Sequence, residues 1–396
     1  MTDPKKKRAG LAMVIAPNAF KGSLSAGRAA EAIARGVKAV FPEAELYLVP
    51  MADGGDGTTE CLIRATGGRI FRKRVAGPLG EPVEGFWGLT GGGRTAVVEV
   101  AAASGLALVP ADRRDPLGAT SHGTGELIRE ALGSGCREIF IGLGGSATTD
   151  AGAGLLQALG VRLLDSRGQE IGRGGAALQD LDRIDLSSLD PRLREVSLVA
   201  GCDVDNPLYG PQGAAYVYAP QKGASGEQLS FLDSCLRRFA AVVERDLQVK
   251  VGEMAGGGAA GGIGAALAGV LGARLVSGVQ EIVRLTGLPE LLRREDISLL
   301  ITGEGEINPQ SLRGKVPVGL ARLARQYGIP VLVLAGGIRL DPQEAHRAGI
   351  SALMAIVDAP MDLPTAMERA EELLEGASRR AMQLLAIGRG WAEAES

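Results

Sequence analysis

Nine short apolar runs, most ending in glycine or polar residues with helical stretches between them, constrain this chain more than any other feature. The runs are Leu11–Pro17, Leu46–Met51, Ala96–Val100, Glu138–Leu143, Val196–Ala200, Ala215–Ala219, Ile297–Thr302, Val331–Ala335 and Ala352–Val357. Several are apolar throughout, as strands covered on both faces are. The intervening stretches carry helical spacing. Ser25–Val40 aligns Ala29, Ile33, Val37 and Val40. In Glu227–Glu244, Ser225 and Gln228 have capping-box spacing ahead of Leu232, Leu236, Phe239 and Val243. A third helix is expected over Thr365–Leu385. Strand–helix alternation of this kind specifies an α/β protein with largely parallel sheets.

A length of 396 residues gives a prior of two or three domains. Ala76–Thr95 is rich in Gly and Pro and reads as hairpins, and strand–helix units return after about Asp296. The expectation is a doubly wound domain from residues 1–75 and 286–396, with a second α/β domain, 76–285, inserted. Glycine supplies 59 residues, about twice the usual share of roughly 7%, with no collagen period or linker character. These glycines belong in loops that require them.

Other classes are disfavoured. A formal charge of −3 and only 7 Phe, 5 Tyr and 2 Trp offer neither a basic field nor stacking platforms for nucleic acid. No segment approaches eighteen apolar residues, so no membrane span is expected. Cys61, Cys136, Cys202 and Cys235 lie far apart and, with only His122 and His346, do not suggest zinc. Free thiols in a reducing cytoplasm are the expectation. The basic run Lys5-Lys6-Lys7-Arg8 reads as a solvated tail.

Ligands of open α/β sheets bind beyond the C-terminal strand ends, and the residues there are strongly biased. After the first run come Asn18, Lys21 and Ser23; after the second, Asp53, Gly54, Gly55, Asp56 and Gly57. The fourth is followed by Gly144-Gly145-Ser146-Ala147-Thr148-Thr149-Asp150, and the fifth by Asp203, Asp205 and Asn206. Near the seventh are Gly303, Glu304, Glu306, Asn308 and Lys315. Small residues let main-chain N–H groups approach an anion. Asp53 and Asp56 suit Mg²⁺, which takes carboxylates together with phosphate and water. Lys21, Lys222 and Lys315 in Gly/Ser-flanked loops suit an anionic substrate, and the set suits phosphoryl transfer. No GxxxxGK[ST] string and no GxSxG elbow occur. His122 reads as a packed or capping residue. A rival reading takes Gly142, Gly144 and Ala147 as a GxGxxA dinucleotide fingerprint with Asp165 on the ribose, which makes an NAD-dependent oxidoreductase. It requires Asp165 to end a strand directly beside the first.

The motifs PNAFKGSLSA (Pro17–Ala26), PMADGGDGT (Pro50–Thr58), GLGGSATTDAGAG (Gly142–Gly154), CDVDNPLYGPQGA (Cys202–Ala214), PQKGAS (Pro220–Ser225), GGGAAGGIGAAL (Gly256–Leu267) and TGEGEINPQSLRGKVPVG (Thr302–Gly319) occur in this order. In this the chain resembles the bacterial ATP-dependent glycerate kinases that form 2-phosphoglycerate, from about Met13 to Leu385. The resemblance implies a flavodoxin-like domain built from both chain ends, an inserted α/β domain and a site between them. It implies ATP, Mg²⁺ and glycerate as ligands, a cytoplasmic monomer or homodimer, and no nucleic-acid or membrane partner. Under it, Lys21 and Lys315 hold negative charge, and Asp53 and Asp56 serve Mg²⁺ or accept a proton. Gly144, Gly145, Ser146 and Thr148 cradle phosphate near Asp150. Asp203, Asp205 and Asn206, with Lys222, shape the opposite wall, and Ser23, Gly303, Glu304 and Asn308 complete the binding set. The chain departs from the family pattern at Asn18 and Asn308, where Asp is usual, at Glu306, where a basic residue is common, and at Thr149, where Asn is more usual. A non-catalytic, metabolite-binding relative is therefore a second alternative. The sequence alone leads one to expect that Asn308→Asp improves turnover.

Overall fold

The computed structural model describes residues 11–394, so the run Lys5-Lys6-Lys7-Arg8 lies outside the described residues. The chain forms two compact units, one running to Asp53 and resuming at Ile282, the other Gly54–Glu281. The first opens with β1 (Ala12–Ile15) and β2 (Glu45–Leu48). The second holds β3 (Arg69–Ala76), β4 (Pro82–Leu89), β5 (Thr95–Glu99), β6 (Glu138–Gly142), β7 (Arg162–Leu164), β8 (Arg183–Asp185), β9 (Ser197–Gly201) and β10 (Arg274–Val276). The chain then returns with β11 (Ile297–Ile307), β12 (Val331–Ile338) and β13 (Ala352–Ala355).

The sheet of the first unit runs β13-β12-β11-β1-β2, parallel throughout. Counted within that unit the order is 2-1-3-4-5, the flavodoxin-like arrangement, whose topological switch lies between β1 and β11. All four residues of β1 are buried, which explains its unbroken apolar sequence. The helix Ala26–Lys38 starts at Ser25, whose hydroxyl accepts from the Arg28 N–H at 3.4 Å. It buries Ala29, Ile33 and Val37 in one core with Leu373, Leu374, Ala377 and Met382 from the helix Ala370–Ala394. The helix expected over Thr365–Leu385 is two, Leu363–Glu368 and Ala370–Ala394, because Arg369 leaves helical geometry (φ −91°, ψ 10°).

The second unit has a mixed sheet, β10-β9-β6-β5-β4-β3, in which β10, β9, β6 and β5 are parallel. The Gly/Pro-rich stretch forms the expected hairpin, β3 pairing antiparallel with β4 along its whole length. That pairing, with Thr59 and Ile63 of the helix Thr58–Thr66 seated over Gly88, puts residues 54–75 in this unit and moves the crossing from 75/76 to 53/54. The expected strand Ala215–Ala219 is instead the helix Ala214–Tyr218. Ala214, Ala215 and Ala219 are buried while Tyr216 and Val217 are exposed, a helical rather than alternating pattern.

In the first unit the helices from the two chain ends meet at Gly36, where an added Cβ would lie 2.5 Å from the Glu375 carbonyl oxygen. In an open helix Gly→Ala gains up to about 1 kcal/mol. Here overpacking, at roughly 1–3 kcal/mol, outweighs that gain. Gly36→Ala should therefore lower the thermal midpoint, and a midpoint equal to or above wild type would show that the helices can part freely.

Candidate functional site

In the first unit the loop after β1 and the end of β11 flank the switch point. Hydrogen bonds join them. The Asn18 N–H donates to the Gly303 carbonyl at 2.8 Å, and the Asn18 amide donates to Glu304 Oε1 at 3.3 Å. Asn18 Oδ1 accepts from the Ala19 N–H at 2.8 Å, which orients the amide. Glu304 is buried and its Oε2 has no hydrogen-bond partner. Burial raises its proton affinity; Asp53 adds to the shift, while the Lys315 charge and the Asn18 amide oppose it. Gly303 is required because a Cβ there would stand 2.5 Å from the Leu334 carbonyl.

Lys21 is exposed at the tip of a tight turn closed by paired Phe20 and Leu24 main chains, with Gly22 at φ +78°. Ser23 lies inside that turn, its hydroxyl on the Phe20 carbonyl at 3.0 Å. Lys315 precedes the helix Val316–Arg325. This unit thus gathers Asn18, Lys21, Asp53, Glu304 and Lys315 around the carboxyl ends of β1 and β11.

In the second unit the glycine loop after β6 rests on backbone. The Gly144 N–H reaches the Gly54 carbonyl at 3.2 Å, and a Cβ on Gly144 would fall 2.4 Å from Gly55 Cα. Gly145, exposed at φ +72°, faces Asp56, whose Oδ1 would meet a Cβ there at 2.5 Å. Asp53 and Asp56, three residues apart, fall in different units. Asp56 belongs to the turn opening the helix Thr58–Thr66. There Glu99, at the end of β5, accepts from the Gly57 and Thr59 N–H groups. Glu99 is buried, which pushes its pKa up to about 7 against those hydrogen bonds. The sequence reading omitted Glu99; a lone Glu closing an otherwise apolar strand was its only signal.

Other expected ligands are engaged by protein. Asp150 is fully buried and accepts from the Ser121 N–H and hydroxyl, both at 2.8 Å, and from the Gly152 and Gly154 N–H groups at 3.1 and 3.3 Å. It anchors the loop from below. Lys222 is buried too, its ammonium 2.9 Å from Ser146 Oγ and 2.6 Å from the Thr148 carbonyl. The Thr148 hydroxyl is buried without a partner. Asp203 accepts from Ser277 Oγ at 2.8 Å and the Gly278 N–H at 3.1 Å, at the start of the helix Gly278–Leu285. Asn206 donates to the Gln212 carbonyl at 2.8 Å and accepts from Tyr218 Oη at 2.6 Å, so it shapes its own loop, while Asp205 is exposed. His122 opens the helix His122–Leu132, Nδ1 3.8 Å from Glu126, and burial lowers its proton affinity.

The dinucleotide reading fails on topology. β7, which Asp165 follows, pairs with β8 in a separate two-stranded sheet and not with β6. The Asp165 carboxylate is turned onto the Arg167 and Gln169 N–H groups, each at 2.9 Å.

The comparisons agree with one another. Residues 13–386 match the glycerate kinase family. The chain is 50% identical to the glycerate kinase of Bacillus subtilis (strain 168), over 93% of this chain and 96% of that one. It is 48% identical to the glycerate 2-kinase of Escherichia coli (strain K12), over 95% and 98%. A crystal structure from Salmonella typhimurium LT2, of a chain provisionally assigned as glycerate kinase 2, superposes with a TM-score of 0.87 at 45% identity, covering 96% of this chain and all of that one.

Two expected outcomes follow from these contacts. Glu99 holds its proton more tightly folded than its ordinary value of 4.5 allows, so between about pH 4.5 and 7 the folded state binds a proton that the unfolded chain has lost. Its contribution to stability is highest below that window and declines as pH rises through it. The thermal midpoint of wild type relative to Glu99→Gln should therefore rise on going from pH 8 to pH 5; a flat or opposite difference would mean Glu99 is not a buried titrating group. Asn308 gives the second outcome, for stability and not for the turnover expected from sequence. Its amide donates to Glu306 Oε1 at 2.8 Å while its Oδ1 caps the Gln310 N–H at 3.0 Å. Asn308→Asp keeps the cap, loses the donor and sets two carboxylates together, a loss of about 1 kcal/mol. Adding Glu306→Lys should restore the midpoint, and an Asn308→Asp protein as stable as wild type would refute the pairing.

Proposed function

The chain belongs to the glycerate kinase family, and we propose that it transfers the γ-phosphate of ATP to the 2-hydroxyl of D-glycerate, giving 2-phosphoglycerate. The observation that carries the reading is the near full-length likeness to the Bacillus and Escherichia proteins, joined to glycine loops at the strand ends. Phosphoryl transfer asks a protein mainly to position two anions and neutralise charge. Lys21 and Lys315 supply cations at the switch point of the first unit. The Gly144–Ser146 loop supplies close backbone approach, with exposed Gly145 beside Asp56.

Mg²⁺ enters as part of the nucleotide substrate. Among the described residues no three His, Cys, Asp or Glu side chains gather as a metal cage. A cation carried on phosphate needs only one or two carboxylates, and either Asp53 of the first unit or Asp56 of the second has the chemistry for that part. No helix among the described residues is long and apolar enough to cross a membrane. All four cysteines are free, as thiols of a reducing compartment are.

Incubation with ATP, Mg²⁺ and D-glycerate, with the product resolved by phosphorus NMR, should give 2-phosphoglycerate and stoichiometric ADP. The 3-isomer would overturn the regiochemistry. Saturable binding of ATP and glycerate without product would identify a non-catalytic relative.

A further inference from the structure

We propose that Lys222 is a positioning residue: from beneath the Gly144–Thr148 loop it holds the Ser146 hydroxyl as an acceptor, so that the hydroxyl's own hydrogen points to the transferring phosphate. The inference rests on the reading of that loop as the phosphate site.

Lys222 is 3% exposed, so its ammonium cannot act as a direct ligand for a nucleotide. It ends the short turn Pro220–Lys222, and Gly223, at φ +98°, turns the chain away immediately after it. An ammonium carries three donors and no acceptor. Two of its donors are spent at 2.9 Å on Ser146 Oγ and at 2.6 Å on the Thr148 carbonyl. A serine hydroxyl has one hydrogen to give and two lone pairs to receive with. In its ammonium form Lys222 can only donate, so it then occupies a lone pair of Ser146 and leaves the hydrogen for another acceptor. No described protein group takes that hydrogen. Gly145, adjoining Ser146, is exposed, so an anion seated over this turn is the acceptor the geometry provides for.

The lysine is held at some cost. Burial pulls its pKa down to about 7, and only Asp150, itself fully buried beneath the same loop, opposes that shift. A group kept only for stability would be a poor choice here, since an apolar side chain of similar volume removes the desolvation penalty. Function gives the better account of a buried ammonium.

The experiment is a double-mutant cycle of Lys222→Met and Ser146→Ala, with steady-state kinetics and thermal unfolding measured on all four proteins. Lys222→Met should lower kcat by about tenfold or more, as loss of an aimed donor does. It should leave the KM for glycerate and the melting temperature nearly unchanged. In the Ser146→Ala background the same substitution should cost less than about twofold, because the hydroxyl it positions is gone. Losses that multiply would overturn the proposal while leaving the loop as the phosphate site. A Ser146→Ala enzyme with wild-type kcat would instead remove the loop reading and the proposal with it. A purely structural lysine would show as early melting with unchanged kcat per folded molecule. Should Lys222→Met not fold, Lys222→Arg takes its place in the cycle; its longer planar head displaces the Ser146 contact, and the same non-additivity is expected.

Discussion

The loop after β6 lies where it does because backbone can touch backbone there. Gly144 stands over Gly55, and Gly142 over the Gly54 carbonyl, at separations that a Cβ would reduce to 2.4 and 2.5 Å. A Cβ on Gly54 would lie 3.5 Å from the carbonyl of Gly201, at the end of the neighbouring β9, and a Cβ on Gly201 would stand 2.7 Å from the Phe140 ring. Three successive segments are thus drawn together by having no side chains at the crossing. The high glycine content of the chain is in part the consequence. Glycine here costs conformational entropy on folding, and what it gains is main-chain N–H groups that can be presented closely to an anion.

A glycine loop with no side chains to hold it must be fixed from below, and buried ionisable groups do this. Asp150 takes four donors under the loop, and Lys222 ties Ser146 to Thr148. Glu99 binds the two N–H groups that open the helix after Asp56. Each charge is expensive to bury, and each is satisfied by hydrogen bonds that would be lost if the loop shifted. Satisfied buried networks of this kind specify one geometry more than they add stability. That is the property a site for phosphoryl transfer needs, because misplacement of the reacting groups by an ångström is costly.

How far sequence could see into this arrangement depends on what a residue's neighbours reveal. Strand position was legible wherever burial on both faces produced an unbroken apolar run, as in β1 and β6. Ala215–Ala219 misled because five apolar residues carry too little periodicity to separate strand from helix. The flavodoxin-like order was implied by family likeness and not by spacing, since pairing between strands nearly three hundred residues apart leaves no local trace. In the site, residue type marked the correct loops but not which way each side chain turns. Asp150, Asp203 and Asn206 have ligand-like chemistry and are engaged by protein donors and acceptors. Glu99 does comparable work and stood unnoticed at a strand end. An acidic side chain in a glycine loop is equally suited to capping a helix, and only geometry separates the two uses.

The same distinction bears on the two asparagines where the family pattern has aspartate. Taken singly they look like lost carboxylates. In the first unit, however, Asn18 donates to Glu304 and Asn308 donates to Glu306, and these glutamates stand two residues apart on β11. A carboxylate at either position would offer Glu304 or Glu306 repulsion in place of a donor. The amides therefore belong to the same local design as the glutamates they serve. Glu304 retains an oxygen without a partner beside the cation of Lys315, so this end of the sheet keeps its acidic character through glutamate. A departure from a family pattern is therefore to be judged together with the side chain it touches, because what an amide or a carboxylate contributes depends on the group that faces it.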